Sequence, residues 1–269
     1  MRRRHFLLCL GAAMLAACAS HPARPTGGQF VARELELEGR RYRYQVFVPA
    51  ASHGAGRRPI VLFLHGSGER GSDGWRQTES GLGPYLREHA ADFPALVVLP
   101  QVPEDEQWMG INARMALAAL DAASAEFDAD PSRTYVTGMS MGGYGTWEVA
   151  LLQPERFAAL VPICGALHSP RADYEQLYVS AVAGESDRYH ALATRLRQVP
   201  VWMFHGALDD QVPPTDDRKL YKAARLVGAP FRYSEYPDGN HNAWDATYHD
   251  PAMWEWLWAQ RKVVATSAS

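Results

Sequence analysis

Ser140 sits in Gly138-Met139-Ser140-Met141-Gly142, a G-x-S-x-G run followed by Gly143. Strand-forming Tyr135-Val136-Thr137 precedes it, and a helical pattern from Tyr144 to Leu152 follows. A sharp strand-to-helix turn forces its serine into a strained backbone conformation, and small residues on either side let neighbouring chains approach. The hydroxyl then stands clear above a helix N-terminus, where partial positive charge favours a developing anion. The chemistry this arrangement suits is attack of the hydroxyl on an acyl carbon. A serine hydroxyl is a weak nucleophile until a base removes its proton. A carboxylate and a histidine are therefore expected downstream, in the chain order serine, acid, histidine.

The acid is expected in His205-Gly206-Ala207-Leu208-Asp209-Asp210-Gln211-Val212-Pro213, which follows the apolar strand Val201 to Phe204. A carboxylate just past a parallel strand lies at the active edge of a sheet. Asp209 and Asp210 both qualify, and either could instead cap the loop. The chain has 10 histidines. His5 and His21 fall in the N-terminal leader and tether, and His53 in a Gly-rich loop. His65 and His205 each precede a glycine at a strand end, where backbone support is the expected role. His89, His168, His190 and His249 lack a motif. His241, in Gly239-Asn240-His241-Asn242, follows the strand Phe231 to Tyr236 and precedes the last helix, where a base belongs.

A tetrahedral intermediate also needs N–H donors aimed at its oxygen. One is expected from the residue after the nucleophile, Met141. The other is expected from the loop His65-Gly66-Ser67-Gly68-Glu69-Arg70-Gly71, at Ser67. No dinucleotide fingerprint follows that loop, so a phosphate-binding reading is rejected. No cluster with metal-ligand spacing is visible, and neither metal nor cofactor is expected.

These residues need a scaffold. Phe30 to Glu38 and Tyr42 to Val48 alternate with period two and predict antiparallel strands joined at Gly39-Arg40. Ile60 to Leu64 and Ala95 to Leu99 are continuous apolar runs, as in strands covered on both faces. A helix is predicted over 83–91 and another over 112–127. Then follow a strand over 133–137, the helix over 140–152 and a strand over 158–163. The predicted strand over 199–204, helix over 215–227, strand over 231–236 and helix over 251–262 complete the chain. Strands alternating with helices specify an α/β fold, a mostly parallel sheet with helices on both faces. Residues 165–197 break the alternation and read as an insertion beside the active edge: a small cap, or a surface excursion without a role.

The 269 residues are 47% hydrophobic and 21% charged, which excludes a disordered, collagenous or coiled-coil chain. A net charge of −3 gives no electrostatic case for a nucleic-acid partner. Residues 1–17 read as a signal peptide, with Arg2, Arg3 and Arg4 followed by an apolar run too short to span a bilayer. The run ends Leu15-Ala16-Ala17-Cys18, which resembles a bacterial lipobox. That resemblance implies cleavage before Cys18 and a lipid on its sulfur; an ordinary signal cut nearby is the alternative. Arg3-Arg4-His5-Phe6-Leu7 is also similar to a twin-arginine export signal. Residues 18–29 are expected to tether the lipid to a folded domain over 30–262, with a C-terminal tail over 263–269. The expected location is the bacterial cell envelope, anchored to membrane. Cys164 would be the one unmodified cysteine of the mature chain, leaving no internal disulfide.

Six blocks occur in order: LHGSGERG (64–71), LPQVPEDEQW (99–108), YVTGMSMGGYGTW (135–147), RFAALVPICG (156–165), WMFHGALDDQVP (202–213) and GNHNAWDATY (239–248). Together they resemble bacterial secreted α/β-hydrolase serine esterases related to phospholipase/carboxylesterases and feruloyl esterases. Members of that group are often labelled peptidases of the prolyl-oligopeptidase type. The resemblance spans roughly residues 30–262. It implies an α/β-hydrolase fold, with Ser140 as nucleophile, Asp209 as acid, His241 as base, and the Ser67 and Met141 amides as oxyanion donors. It places Trp108 and Tyr144 at the acyl pocket, unless they are plain core aromatics. The implied substrate is a small or polymer-derived carboxylic ester. A serine peptidase of the same fold is the nearest rival, disfavoured because such enzymes usually carry a propeller domain for which these residues leave no room. A non-catalytic binding lipoprotein would be expected to lack a triad member, and a dienelactone-type hydrolase to carry cysteine at position 140. The natural substrate and oligomeric state stay open.

Overall fold

The computed structural model describes residues 27–50 and 56–262. The expectations for 1–17, Cys18, most of the 18–29 tether, His53 and 263–269 lie outside the described residues.

One eight-stranded sheet organises the chain. Strands β1 (Gln29–Leu37) and β2 (Arg40–Val48) form an antiparallel hairpin. Its turn is Glu38-Gly39, one residue earlier than expected, with φ of 51° and 75°. Two consecutive positive φ values match the right-handed twist of a two-residue hairpin, and glycine takes one of them without steric cost. Then follow β3 (Arg58–Leu64), α1 (Leu82–Glu88), β4 (Leu96–Pro100), α2 (Ile111–Glu126), β5 (Ala129–Met139), α3 (Met141–Leu152), β6 (Ala159–Ile163), α4 (Arg188–Arg195), β7 (Val201–Gly206), α5 (Thr215–Leu226), β8 (Phe231–Tyr236), α6 (Trp244–Tyr248) and α7 (Pro251–Ala259).

The spatial order is β1-β2-β4-β3-β5-β6-β7-β8. β2 pairs antiparallel with β4, and all strands from β3 to β8 run parallel. The chain is thus an α/β-hydrolase fold, as the alternation of elements implies.

Period two explains how the sheet feeds two cores. Ile60, Leu62 and Leu64 enter one core with Ala116 and Leu120 of α2 and Val149 of α3. Val61 and Phe63 enter the other with Leu82 and Leu86 of α1 and Trp254 and Leu257 of α7. β5 begins at Ala129, four residues before its apolar run, because it regains pairing with β3 across a bulge. The short helix α6 was missed between His241 and α7. The last helix ends at Ala259, three residues short of the expected end. Its start is sharp: Pro251 takes the first turn, and the Asp250 carboxylate accepts the Ala252 amide at 2.9 Å.

Residues 165–197 form a compact excursion tied down by two carboxylates. Asp216 on α5 accepts the Leu167 and His168 amides at 2.9 Å each and the Tyr189 hydroxyl at 2.7 Å. Glu148 on α3 accepts the Ser180 amide and, at 3.0 Å, the Ser180 hydroxyl. These ties seat the segment over the C-terminal edge of the sheet.

Candidate active site

Ser140 joins β5 to α3 with φ 52° and ψ −119°. That conformation costs a non-glycine residue on the order of 1–3 kcal/mol. It is held because the Ser140 amide donates to the Ile163 carbonyl at 2.9 Å and the Gly143 amide donates back to the Ser140 carbonyl at 2.8 Å. A Cβ on Gly142 would lie 1.8 Å from the Leu64 oxygen, and one on Gly138 would lie 2.2 Å from the Gly142 oxygen. The two glycines of the motif are therefore required by close backbone approach, and the serine between them is lifted above α3.

Three loops at the same sheet edge meet there. His241 Nε2 lies 2.9 Å from Ser140 Oγ, and Nδ1 lies 2.7 Å from Asp209 Oδ2. An ionised carboxylate only accepts, so Nδ1 carries the proton and Nε2 is free to take the one on Ser140. Asp209 is buried, and its Oδ1 accepts the Gln211 and Val212 amides at 2.9 Å each. Burial alone would raise its pKa. Hydrogen bonds from His205, His241 and the Val212 amide outweigh it and hold the carboxyl well below the usual carboxylate range. Asp210 is exposed, and among the described residues its carboxylate accepts from the Gln211 side chain, at 3.1 Å. The thiol of buried Cys164 donates to the His241 carbonyl at 3.1 Å, fixing the loop from beneath. Burial pushes that thiol pKa far up.

Ser67 opens a single 3-10 turn, Ser67–Glu69, and Met141 opens α3. Each amide N–H is thus in a first turn, where no intrahelical acceptor exists. Met141 has a fully buried side chain, so its backbone is what it can offer. The loop around Ser67 is pinned by His65, whose Nδ1 donates to the Gly66 carbonyl at 2.6 Å while Nε2 accepts the Val102 amide at 3.0 Å. Burial depresses the His65 pKa to about 4, in keeping with that neutral tautomer. Glu69 borders the same loop; burial raises its pKa despite bonds from the Gly66 and Glu69 amides.

A pocket of about 400 Å³ opens at Ser140 and His241, and Ser67 and Glu69 form one wall. Pro170, Arg171, Tyr174 and Leu177 form another, so the first half of the 165–197 excursion caps the site. Arg171 is held by Asp173 at 3.0 Å and lies 4.8 Å over the Tyr174 ring. Val212 and Trp244 complete the apolar lining, with the Trp244 ring edge-on to His241 at 5.5 Å.

Trp108 and Tyr144, expected at the acyl pocket, are instead core residues behind it. Trp108 is 1% exposed and its Nε1 donates to the His65 carbonyl at 2.9 Å. Tyr144 is 2% exposed and its hydroxyl donates to the His168 carbonyl at 3.1 Å. Both brace pocket-forming loops from the sheet side. His205 supports backbone as expected, through Nε2 on the Val212 carbonyl at 2.8 Å, and its ring also faces two acids, Asp217 Oδ2 at 2.8 Å from Nδ1 and Asp209 Oδ2 at 3.2 Å from Nε2. No spacing in the sequence announces that contact. Two sets of ligand-type atoms come within 4.8 Å of one another among the described residues. One is Cys164, Asp209 and His241, already engaged with one another and with Ser140. The other is Glu88, His89 and His249 on the surface, gathered from separate helices by the fold.

A solved thermostable esterase superposes with a TM-score of 0.70 at 29% identity, covering 87% of this chain and 63% of that one. A dipeptidyl-peptidase 5 from Porphyromonas gingivalis is 28% identical over 148 residues, 49% of this chain and 22% of that protein. A feruloyl esterase B from Neurospora crassa is 28% identical over 122 residues, 41% of this chain and 40% of that protein. This chain therefore spans about a fifth and two fifths, respectively, of those two relatives. No helix among the described residues is long and apolar enough to cross a membrane. Residues 106–262, which contain the Ser140 turn, Asp209 and His241, match the prolyl oligopeptidase family, and the chain belongs to that family of α/β-hydrolases.

Proposed function

We propose that this chain is a serine hydrolase that cleaves carboxylic esters through an acyl-enzyme. The observation that carries the reading is the unbroken relay from Asp209 Oδ2 through His241 to Ser140 Oγ, at 2.7 and 2.9 Å, opening on one pocket. His241 takes the Ser140 proton as Oγ bonds to the ester carbonyl carbon, and the carbonyl oxygen becomes the oxyanion. The Ser67 and Met141 amides receive it. Collapse expels the alcohol, which takes the proton from His241 and leaves an acyl-serine. Water, deprotonated by His241, attacks the acyl carbon; collapse expels Ser140 Oγ, which takes that proton back from His241, and the acid is released. Asp209 orients the imidazole and stabilises the imidazolium throughout.

The esterase reading over a peptidase draws on the thermostable esterase and the feruloyl esterase to which the chain is similar, and on a pocket with an apolar lining suited to an acyl group. Purified protein assayed on aryl esters of rising acyl length, feruloyl esters and peptide anilides tests it. Ester turnover with no anilide turnover is the expected result; faster anilide cleavage would make the protein a peptidase. We further propose export, with residues 1–17 removed and Cys18 lipidated to anchor the enzyme in a bacterial envelope, on the strength of the lipobox-like Leu15-Ala16-Ala17-Cys18.

A further inference from the structure

His205, the penultimate residue of β7, has its side chain wholly buried between two acids. Nδ1 lies 2.8 Å from Asp217 Oδ2. Nε2 lies 2.8 Å from the Val212 carbonyl and 3.2 Å from Asp209 Oδ2. The Val212 carbonyl and an ionised Asp209 can only accept, so Nε2 must carry a proton. One more proton lies between Nδ1 and Asp217. It is on the ring if Asp217 is ionised, and on the carboxyl if Asp217 is neutral. Asp217 Oδ1 is buried without a hydrogen-bond partner, which penalises a full negative charge there. In either form the His205–Asp217 pair is neutral as a unit and keeps its N–H toward Asp209.

We propose that His205, backed by Asp217, is a positioning residue for Asp209: its Nε2–H is donated to the Val212 carbonyl at 2.8 Å, which holds the turn whose Val212 amide grips Oδ1, and the same nitrogen lies 3.2 Å from Oδ2, the oxygen that receives Nδ1–H of His241. The carboxylate then has two amides on Oδ1 and the His241 N–H on Oδ2, with the His205 ring packed 3.2 Å from Oδ2, and these hold it in one orientation. A fixed acceptor needs no reorganisation when the His241 imidazolium forms. The nearby His205 ring, positively polarised at Nε2–H, also shares the field of Oδ2, which tempers its pull on His241.

Burial would lower the His205 pKa, but its hydrogen bonds to Asp209 and Asp217 outweigh burial and hold it at about 10. The other charged groups around the pair are Asp216 on α5 and Glu235 on β8, the latter paired with Arg218 at 2.6 Å. His241 faces the far side of Asp209. The Tyr144 and Tyr233 phenols complete the surroundings, each pushed up chiefly by burial and further by these acids.

The inference rests on the reading of Ser140, Asp209 and His241 as the catalytic relay, and its test separates the two. Glutamine places an amide N–H near where Nε2 stood, whereas asparagine reaches only the Nδ1 position. His205→Gln should therefore keep kcat within about threefold, and His205→Asn should lower it about 10- to 100-fold at unchanged KM. The acid limb of the kcat/KM profile should move to higher pH in His205→Asn, because more of the Asp209 charge then acts on the His241 imidazolium. Equal losses in both variants, or no movement of kcat and acid limb in either, would reduce His205 to a packing residue.

Imidazole ¹⁵N NMR of the wild-type protein reads the same point without turnover and without a variant. His205 Nε2 should stay protonated from about pH 5 to 9. Loss of that proton within the window would overturn the proposal even if Ser140 proves to be the nucleophile.

Discussion

Nδ1 of His241 lies 2.7 Å from Oδ2 of Asp209, and Asp209 is buried whereas its neighbour Asp210 is exposed. The two aspartates look alike in the sequence, and one contact separates their roles. Asp209→Asn should cut kcat on the order of 10⁴, because an amide favours the wrong tautomer of the histidine. Asp210→Asn should leave kcat near wild type. Steady-state kinetics on one aryl ester decides it, and a loss confined to Asp210→Asn would reverse the assignment.

Leu177 is 4% exposed and reaches the pocket from the capping segment. Leu177→Ala should weaken binding of long acyl groups roughly tenfold, by the lost burial of apolar surface. Acetyl esters, too short to reach it, should be little affected. A loss of kcat/KM uniform across acyl lengths would show that the segment does not read the acyl chain.

Stability should fall as pH drops from 6.5 toward 4, and His65 is the reason. Its folded pKa is depressed to about 4 from 6.5, by burial. In that window the unfolded chain binds a proton that the folded chain refuses, so stability falls with pH by up to roughly 3 kcal/mol. His205 has the opposite sign: with a pKa raised to about 10, its stabilisation is complete below 6.5 and declines only as pH rises toward 10. Thermal melts of wild type and His65→Gln between pH 7 and 4.5 should show a flatter acid slope in the variant. Parallel slopes would assign the effect elsewhere.

Cys18→Ala should release the protein from the membrane fraction with kcat unchanged, because Cys18 precedes the tether and the folded domain. Mass spectrometry of the mature N-terminus checks it. An N-terminus away from Cys18, with no lipid mass, would remove the anchoring proposal.

The turns that carry Ser140, Asp209 and His241, the proposed nucleophile, acid and base, are legible because each is a local signal: a strand, then small or acidic residues, then a helix. The parallel sheet was legible for the same reason, since apolar runs such as Ile60 to Leu64 are what strands covered on both faces display. What stayed hidden depends on contacts between distant segments. Tyr174 and Leu177 line the pocket only because Asp216 and Glu148, on other helices, hold their segment in place. Tyr144 follows the Ser140 turn in the chain and Trp108 lies in one of the six sequence blocks, yet both side chains turn into the core. Asp217, in the first turn of α5, meets His205 near the end of β7 across the intervening loop, which no residue pattern expresses.

The proposed nucleophile, Ser140, is tested by one paired measurement, fluorophosphonate labelling and ester turnover of wild type and Ser140→Ala. The variant should fold as the wild type does, since a hydroxyl facing an open pocket contributes little to packing. The probe should label Ser140 in the wild type and nothing in Ser140→Ala. Turnover should vanish apart from a residual rate above water of up to roughly 10³-fold from the oxyanion donors and binding. Full activity in folded Ser140→Ala, or labelling at another serine, would contradict the mechanism.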